Sequence, residues 1–499
     1  MDEPLNLKNG YSGRSIAKNT VYNLLGYGIP IIAALIFIPM LVNGLGEEKF
    51  GLLNLAWMII GYFSFFDFGI GKGLTKIVSE KIGLNQTDQI PVLFWTSMVL
   101  MLIVSIVLAV LLLFFVPYFV SLFNVSQNLK QETTDTFYIL CLSIPIVSTT
   151  AGLRGVLEAY LKFGTINVVR IVLGLLTFVG PIICLIFTNS LLWIVVVLII
   201  IRILIWLWYL QLCRKTNPGI SSKGLFDFNA IKPVIKFSAW ISLVNVIGPV
   251  ILYSDRFLIG VLISATAISF YAVSYEVVSK LLLISGALVG VLFPVFSASY
   301  FSNPEESKKI FLRGIKFIFL IIYPIVFLMV VFAFEGIGIW LGEKFAENSS
   351  LVLQLLAVGI LFNSISSIPN NFFQGTGKPK IPALINLIEL PFYLLAMWLT
   401  IKNWGIQGAA ITYMIAAAAD ALIMYAVARK KFNITFGSGL NVLIFFLMII
   451  ILYVPFFINA LHYKIIFALI ILSLFLILGW KHFLTAEEKL FFKSKLRNV

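Results

Sequence analysis

The sequence predicts an all-α polytopic membrane protein of about 14 transmembrane helices, and three observations carry that expectation. First, 60% of the 499 residues are hydrophobic and only 12% are charged, with a mean hydropathy of +1.03. A soluble chain of this length needs far more polar surface to face water. Second, apolar stretches of about 20 residues, each enough to cross roughly 30 Å of hydrocarbon as a helix, recur along the whole chain. Third, the basic residues between those stretches alternate in density, high on one side and low on the other.

In order, the predicted spans lie near 20–43, 51–70, 91–116, 136–157, 167–188, 190–212, 238–262, 269–297, 317–333, 351–373, 382–401, 405–428, 440–460 and 464–480. The polar start, MDEPLNLKNGYSGRSIAKNT, precedes an apolar run too long for a signal-peptide core, so the first helix is expected to be retained. With the N-terminus inside, the segments on its side hold 28 of the 36 Lys and Arg residues. Five lie opposite (Lys49, Lys130, Lys344, Lys402 and Lys464), and Arg202, Arg256 and Lys280 fall within spans. That bias sets orientation and places both termini in the cytoplasm. The net charge of +14 therefore reports topology, and no nucleic-acid partner is expected.

The longest polar connection, 214–236, is cytoplasmic, and the longest outside loop is expected near 117–135. Neither leaves room for an ATPase or a sizeable catalytic domain. Cys141, Cys184 and Cys213 lack disulfide or metal spacing, and His462 and His482 sit near helix ends. With no catalytic triad and no metal cluster, the chain is read as a transporter that uses no cofactor, rather than an enzyme.

An internal repeat divides it. NLLG (23–26) aligns with NVIG (245–248), EEKFGLLN (47–54) with ISFYAVSY (268–275), and EAYLKFGTI (158–166) with QGTGKPKIP (374–382), at offsets of 222, 221 and 216. Six spans per repeat give two halves of the same orientation, related by an axis along the membrane normal. The expected organisation is an N-lobe at 1–213, a connection at 214–236, a C-lobe at 237–431, two further helices at 432–480 and a basic amphipathic tail at 481–499. Pro30 and Pro249, in the first helix of each lobe, are candidate gates, although prolines are also ordinary features of transmembrane helices.

Two soluble-enzyme motifs fail on context. FDFGIGKG (66–73) has nucleotide-loop glycines but ends a membrane span, and QGTGKP (374–379) has Phe372 where a phosphate loop needs Gly. The latter reads better as a tight cytoplasmic turn. The intramembrane charges say more, because an ionisable group near the bilayer centre costs roughly 2.5–3.5 kcal/mol on insertion scales. Arg202, Arg256 and Lys280, with Arg154 nearer the inner side, are assigned to a hydrated cleft with an anionic substrate. For Asp67, Asp255, Glu276, Glu389 and Asp420, ion coupling and structural pairing both stand; Glu276 and Lys280 are four apart on one face.

FFDFGIGKGLTKIVSEK (65–81), SDRFLIGVLISATAISFYAVSYEVVSKL (254–281), FQGTGKPKIPALINLI (373–388) and LTAEEKL (484–490) resemble polysaccharide-biosynthesis flippases of the multidrug/oligosaccharidyl-lipid/polysaccharide exporter superfamily. The resemblance implies two six-helix lobes in a V-shaped arrangement like that of multidrug-and-toxin exporters, plus two extra C-terminal helices. It implies a bacterial inner-membrane flippase that moves a polyprenyl-diphosphate-linked oligosaccharide to the outer leaflet by alternating access, with H+ or Na+ as a possible coupling ion. Membrane lipids, a glycan polymerase and a chain-length regulator are the implied partners. The alternatives are a lipid II flippase and a cation-coupled multidrug exporter. Against the first, the opening span holds no basic residue between Lys18 and Lys49.

Overall fold

The computed structural model describes residues 13–63, 69–221, 227, 253–434, 439–458, 460–484 and 489. Asp67, Pro249, most of the 214–236 connection and nearly all of the expected tail lie outside the described residues. The described residues contain no strand, and ten of their helices are long and apolar enough to cross a membrane. The chain forms two compact units, Met1–Ser269 and Phe270–Val499.

The first unit contains α1 (Gly13–Leu45), α2 (Glu47–Phe63), α3 (Ile70–Gly83), α4 (Ile90–Leu122), α5 (Gln127–Leu142), α6 (Ile144–Ala159), α7 (Phe163–Phe187) and α8 (Leu191–Thr216), then α9 over 253–262. Small residues let these helices approach closely, as bilayer packing requires in the absence of a hydrophobic drive. A Cβ on Gly155 of α6 would lie 2.8 Å from the Gly71 carbonyl of α3, and one on Gly174 of α7 would lie 2.4 Å from the Pro30 ring of α1. Toward one end of the unit, Leu74, Phe94, Leu153, Leu157, Val169 and Cys213 close one apolar core.

The helix ends at the opposite end of the unit are stitched by charge. Lys49 Nζ pairs with Glu132 Oε2 at 3.1 Å and donates to the Asn189 carbonyl, while Glu132 accepts from the Leu191 N–H at the start of α8. At the end that holds the apolar core, the first residues of the long connection are anchored: Trp95 Nε1 donates to the Ile220 carbonyl, and Asn217 Nδ2 to Tyr160.

The second unit takes in most of α10 (Ala265–Ser279), then α11 (Leu282–Ser302), α12 (Pro304–Val331), α13 (Ala333–Leu341), α14 (Glu343–Gly375), α15 (Lys380–Phe432), α16 (Gly439–Ile451) and α17 (Leu461–Leu478). Asn303 caps α12 by accepting from the Glu306 N–H, with Pro304 at the first position and Glu305 and Glu306 in the first turn, where acids favour the helix dipole. α14 is buried on nearly every side, as expected of a central helix apolar all round. α15 is two membrane passes joined at Gly405, whose φ of 60° and ψ of −143° suit glycine alone. Thr400 and Thr412 then meet across the hairpin at 2.6 Å.

The two extra helices dock on α12 through an aromatic seam. Tyr323 stacks on Phe475 at 4.7 Å, Phe319 meets Phe445 at 4.7 Å, and the Tyr323 hydroxyl donates to the Met448 carbonyl. Lys464, buried on α17, completes the attachment by pairing with Glu335 of α13 at 2.8 Å.

The third pair of aligned segments shares one turn geometry. After α6, Lys162 N–H bonds to the Leu157 carbonyl and Leu161 N–H to that of Glu158, with Leu161 at φ 57°. After α14, Lys378 N–H bonds to the Phe373 carbonyl and Gly377 N–H to that of Gln374, with Gly377 at φ 74°. Both turns are left-handed helix caps of the same pattern, and every partner is displaced by 216 residues.

Three sequence boundaries require correction. The outside loop expected near 117–135 shrinks to the four residues between Leu122 and Gln127, because a polar but helical segment begins α5. The eighth span breaks at Lys280–Leu281 into α10 and α11. The ninth begins at Pro304 rather than near 317, since a capped, basic first half is continuous with the apolar run.

Candidate substrate-handling site

On α6, Thr150, Arg154 and Glu158 recur every four residues and form one stripe, while Leu153, Gly155, Val156 and Leu157 bury the opposite face. Arg154 Nε pairs with Glu158 Oε1 at 3.4 Å, and both side chains remain substantially exposed. Across the turn on α7, Arg170 Nη1 donates to Asn167 Oδ1 at 2.9 Å, and Asn167 is held by the Phe163 carbonyl. Tyr209 of α8 lies within electrostatic reach of Arg154, Arg170 and Glu158. Three helices of the first unit thus bring two guanidinium groups and one carboxylate together.

Arg202 lies about two turns outward from Tyr209, on the face of α8 that also carries Leu198 and Ile205. It is half-buried and has no hydrogen-bond or ion-pair partner among the described residues. One turn inward, Trp206 Nε1 donates to Thr149 Oγ1 at 2.9 Å and fixes α8 against α6. With no carboxylate paired to it among the described residues, this cation is a candidate to meet an incoming anion.

Asp255 and Arg256, also in the first unit, are both buried and pair with each other at 3.7 Å. The Arg256 guanidinium also sits 6.0 Å from the Tyr253 ring, and Asp255 Oδ1 accepts from the Arg256 backbone N–H. Their charges are compensated locally. In the second unit, Lys280 bonds to Glu276 one turn back on α10. Ser366 of α14 donates to Asp420 Oδ2 on α15. Glu389 faces the same acid closely enough for their charges to repel, and one buried oxygen of each acid has no hydrogen bond among the described residues. No group of three or more His, Cys, Asp or Glu among the described residues could hold a metal ion.

The structure therefore joins Arg154 to Arg170, joins Glu389 to Asp420, and pairs Asp255 with Arg256 and Glu276 with Lys280. Asp67 and Pro249 lie outside the described residues, and Pro30 packs against Gly174. Arg170 was assigned only to the inner topology charges. Its place as the eighth residue of α7, two turns beyond the short turn that follows Arg154's helix, is the signal that marks it.

The family model for polysaccharide biosynthesis proteins matches residues 16–300, more than half of the chain. The chain belongs to that family. The MatE family model also matches, over residues 241–399 of this family member. A Shigella flexneri protein provisionally named an O-antigen transporter is 30% identical over 82% of this chain and 97% of its own length. Among solved structures, a lipid II flippase in an inward closed conformation has a TM-score of 0.71 at 15% identity, over 93% of this chain and 98% of its own. An inward-facing multidrug exporter has a TM-score of 0.69 at 14% identity, over 83% and 94%. At such identities these two likenesses establish the fold of this polysaccharide-biosynthesis family member and nothing finer.

Proposed function

We propose that the protein is a flippase that carries a polyprenyl-diphosphate-linked oligosaccharide from the cytoplasmic to the outer leaflet of the bacterial inner membrane by alternating access. The observation that carries this reading is the near-complete match to the O-antigen transporter relative, in a chain whose membrane-embedded interior offers Arg154, Arg170 and Arg202. A diphosphate carries about two negative charges, and moving such an ion unaided into hydrocarbon costs tens of kcal/mol. Guanidinium groups replace its hydration with bidentate, charge-assisted hydrogen bonds, while the polyprenol tail stays in the bilayer.

Outward movement of the anion is favoured by roughly 2.3 kcal/mol per charge per 100 mV when the cell interior is negative. The return step is assigned to H+ or Na+ taken up at Glu389 and Asp420, two acids packed within one unit beside a serine hydroxyl. Both termini are cytoplasmic in this scheme, the protein performs no covalent chemistry, and it delivers substrate to a glycan polymerase and its chain-length regulator. Deleting the gene, with redundant carriers removed, tests the reading: lipid-linked repeat unit should accumulate on the inner leaflet. Normal delivery to the outer leaflet in that strain would overturn it.

A further inference from the structure

A cationic site in a bilayer meets anionic phospholipids, which share its preferred charge, far more often than it meets a rare lipid-linked sugar. The Glu276–Lys280 pair addresses that problem. Its two residues rest about 16 and 22 Å along the span that begins at Ala265, depths at which charged groups do not face hydrocarbon. The opposite face of α10 is packed within the second unit: Tyr271 and Val278 are fully buried, and Ser274 donates to the Ser349 carbonyl. Yet the Glu276 and Lys280 side chains remain 36% and 31% exposed, so neighbouring helices do not enclose them.

The helix breaks immediately after the pair. Lys280 and Leu281 bond to Val277 and Val278 in tight three-residue turns before α11 starts at Leu282. Just beyond, Gly286 and Ala287 are exposed, and nothing lies within 4 Å of where a Gly286 side chain would begin. The turn that carries Lys280 thus leads into an uncovered stretch of α11, and the ammonium itself is only partly covered.

We propose that Glu276 is an internal competitor that occupies Lys280 and reserves it for an anion of more than one charge. The inference rests on the flippase reading above and names a selectivity determinant for it. A phosphodiester headgroup with one negative charge offers Lys280 no more than Glu276 already supplies from four residues away. A diphosphate offers about two charges and several oxygens, and it displaces the carboxylate. Discrimination comes from the built-in rival, because specificity is a difference of affinities and an opposing element enlarges it.

The test sets undecaprenyl diphosphate against phosphatidylglycerol for the detergent-solubilised full chain, with both complexes read by native mass spectrometry. Wild type is expected to prefer the diphosphate. Glu276→Gln should raise phosphatidylglycerol binding about tenfold and erode the preference by the same factor, equivalent to about 1.4 kcal/mol. Lys280→Gln should abolish the preference and make Glu276→Gln silent when the two are combined. An unchanged ratio in folded Glu276→Gln, beside a wild type that does select, overturns this inference and leaves the flippase reading standing. A wild type that binds no diphosphate overturns both. If Glu276→Gln fails to fold, Glu276→Asp keeps the charge on a shorter arm and should give an intermediate ratio; a wild-type ratio there would contradict the mechanism.

Discussion

Arg202 and Arg256 are both arginines within apolar spans, but they stand in opposite electrostatic situations. Arg256 is buried against Asp255, so removing one member strands the other's charge in the interior. Breaking such a pair costs roughly 3–5 kcal/mol, and Arg256→Ala should therefore lower the amount of folded protein in the membrane, measured by immunoblot and thermal melting. Arg202 has no partner to strand among the described residues. Arg202→Gln should leave abundance intact while weakening substrate binding by about tenfold or more, the scale of one lost hydrogen bond to a charged group. The sequence named both residues and left structural pairing open for Asp255, but it could not choose, because an Asp beside an Arg in the chain becomes a buried pair only through the packing around it. Arg170 was legible as an inner-side charge and illegible as a neighbour of Arg154 and Tyr209, since that proximity arises from three separate helices.

Helices are where hydropathy reads well and fails in identifiable ways. The glycine-rich turn after α14 was predicted as a turn and is one, matched bond for bond by its counterpart 216 residues earlier. The break at Lys280–Leu281 escaped detection because VVSKLL stays apolar enough to read as one helix. The outside loop was overestimated because polar residues such as Gln131, Glu132 and Thr134 sit on a helix that serves the outer surface. Gly405→Ala forces a side chain into a conformation that costs on the order of 1–3 kcal/mol; the expected result is faster proteolysis at the 400–408 hairpin, with the rest of the chain protected. Lys464→Ala should loosen α16 and α17 from α12, visible as faster hydrogen exchange in those two helices before any change in α14.

For the molecule as a whole, the sequence indicated class and span positions because both follow from composition spread along the chain. Residues 238–262 are described only from Tyr253 onward, and helical residues occupy each of the other thirteen predicted ranges. Orientation is checked by reporters at Lys223, expected inside, and Lys344, expected outside; the reverse pattern would invert the direction of transport. What composition could not supply is the set of charges left free to act, since that depends on which pairings the tertiary structure completes. The central claim is that arginines in the membrane interior carry the diphosphate across. It is tested most directly by reconstituting the purified chain in liposomes and timing the transfer of a polyprenyl-diphosphate oligosaccharide between leaflets. Wild type should accelerate transfer, and the Arg154→Gln, Arg170→Gln, Arg202→Gln triple variant, equally abundant and equally stable, should not. Equal rates for the two proteins would contradict the account.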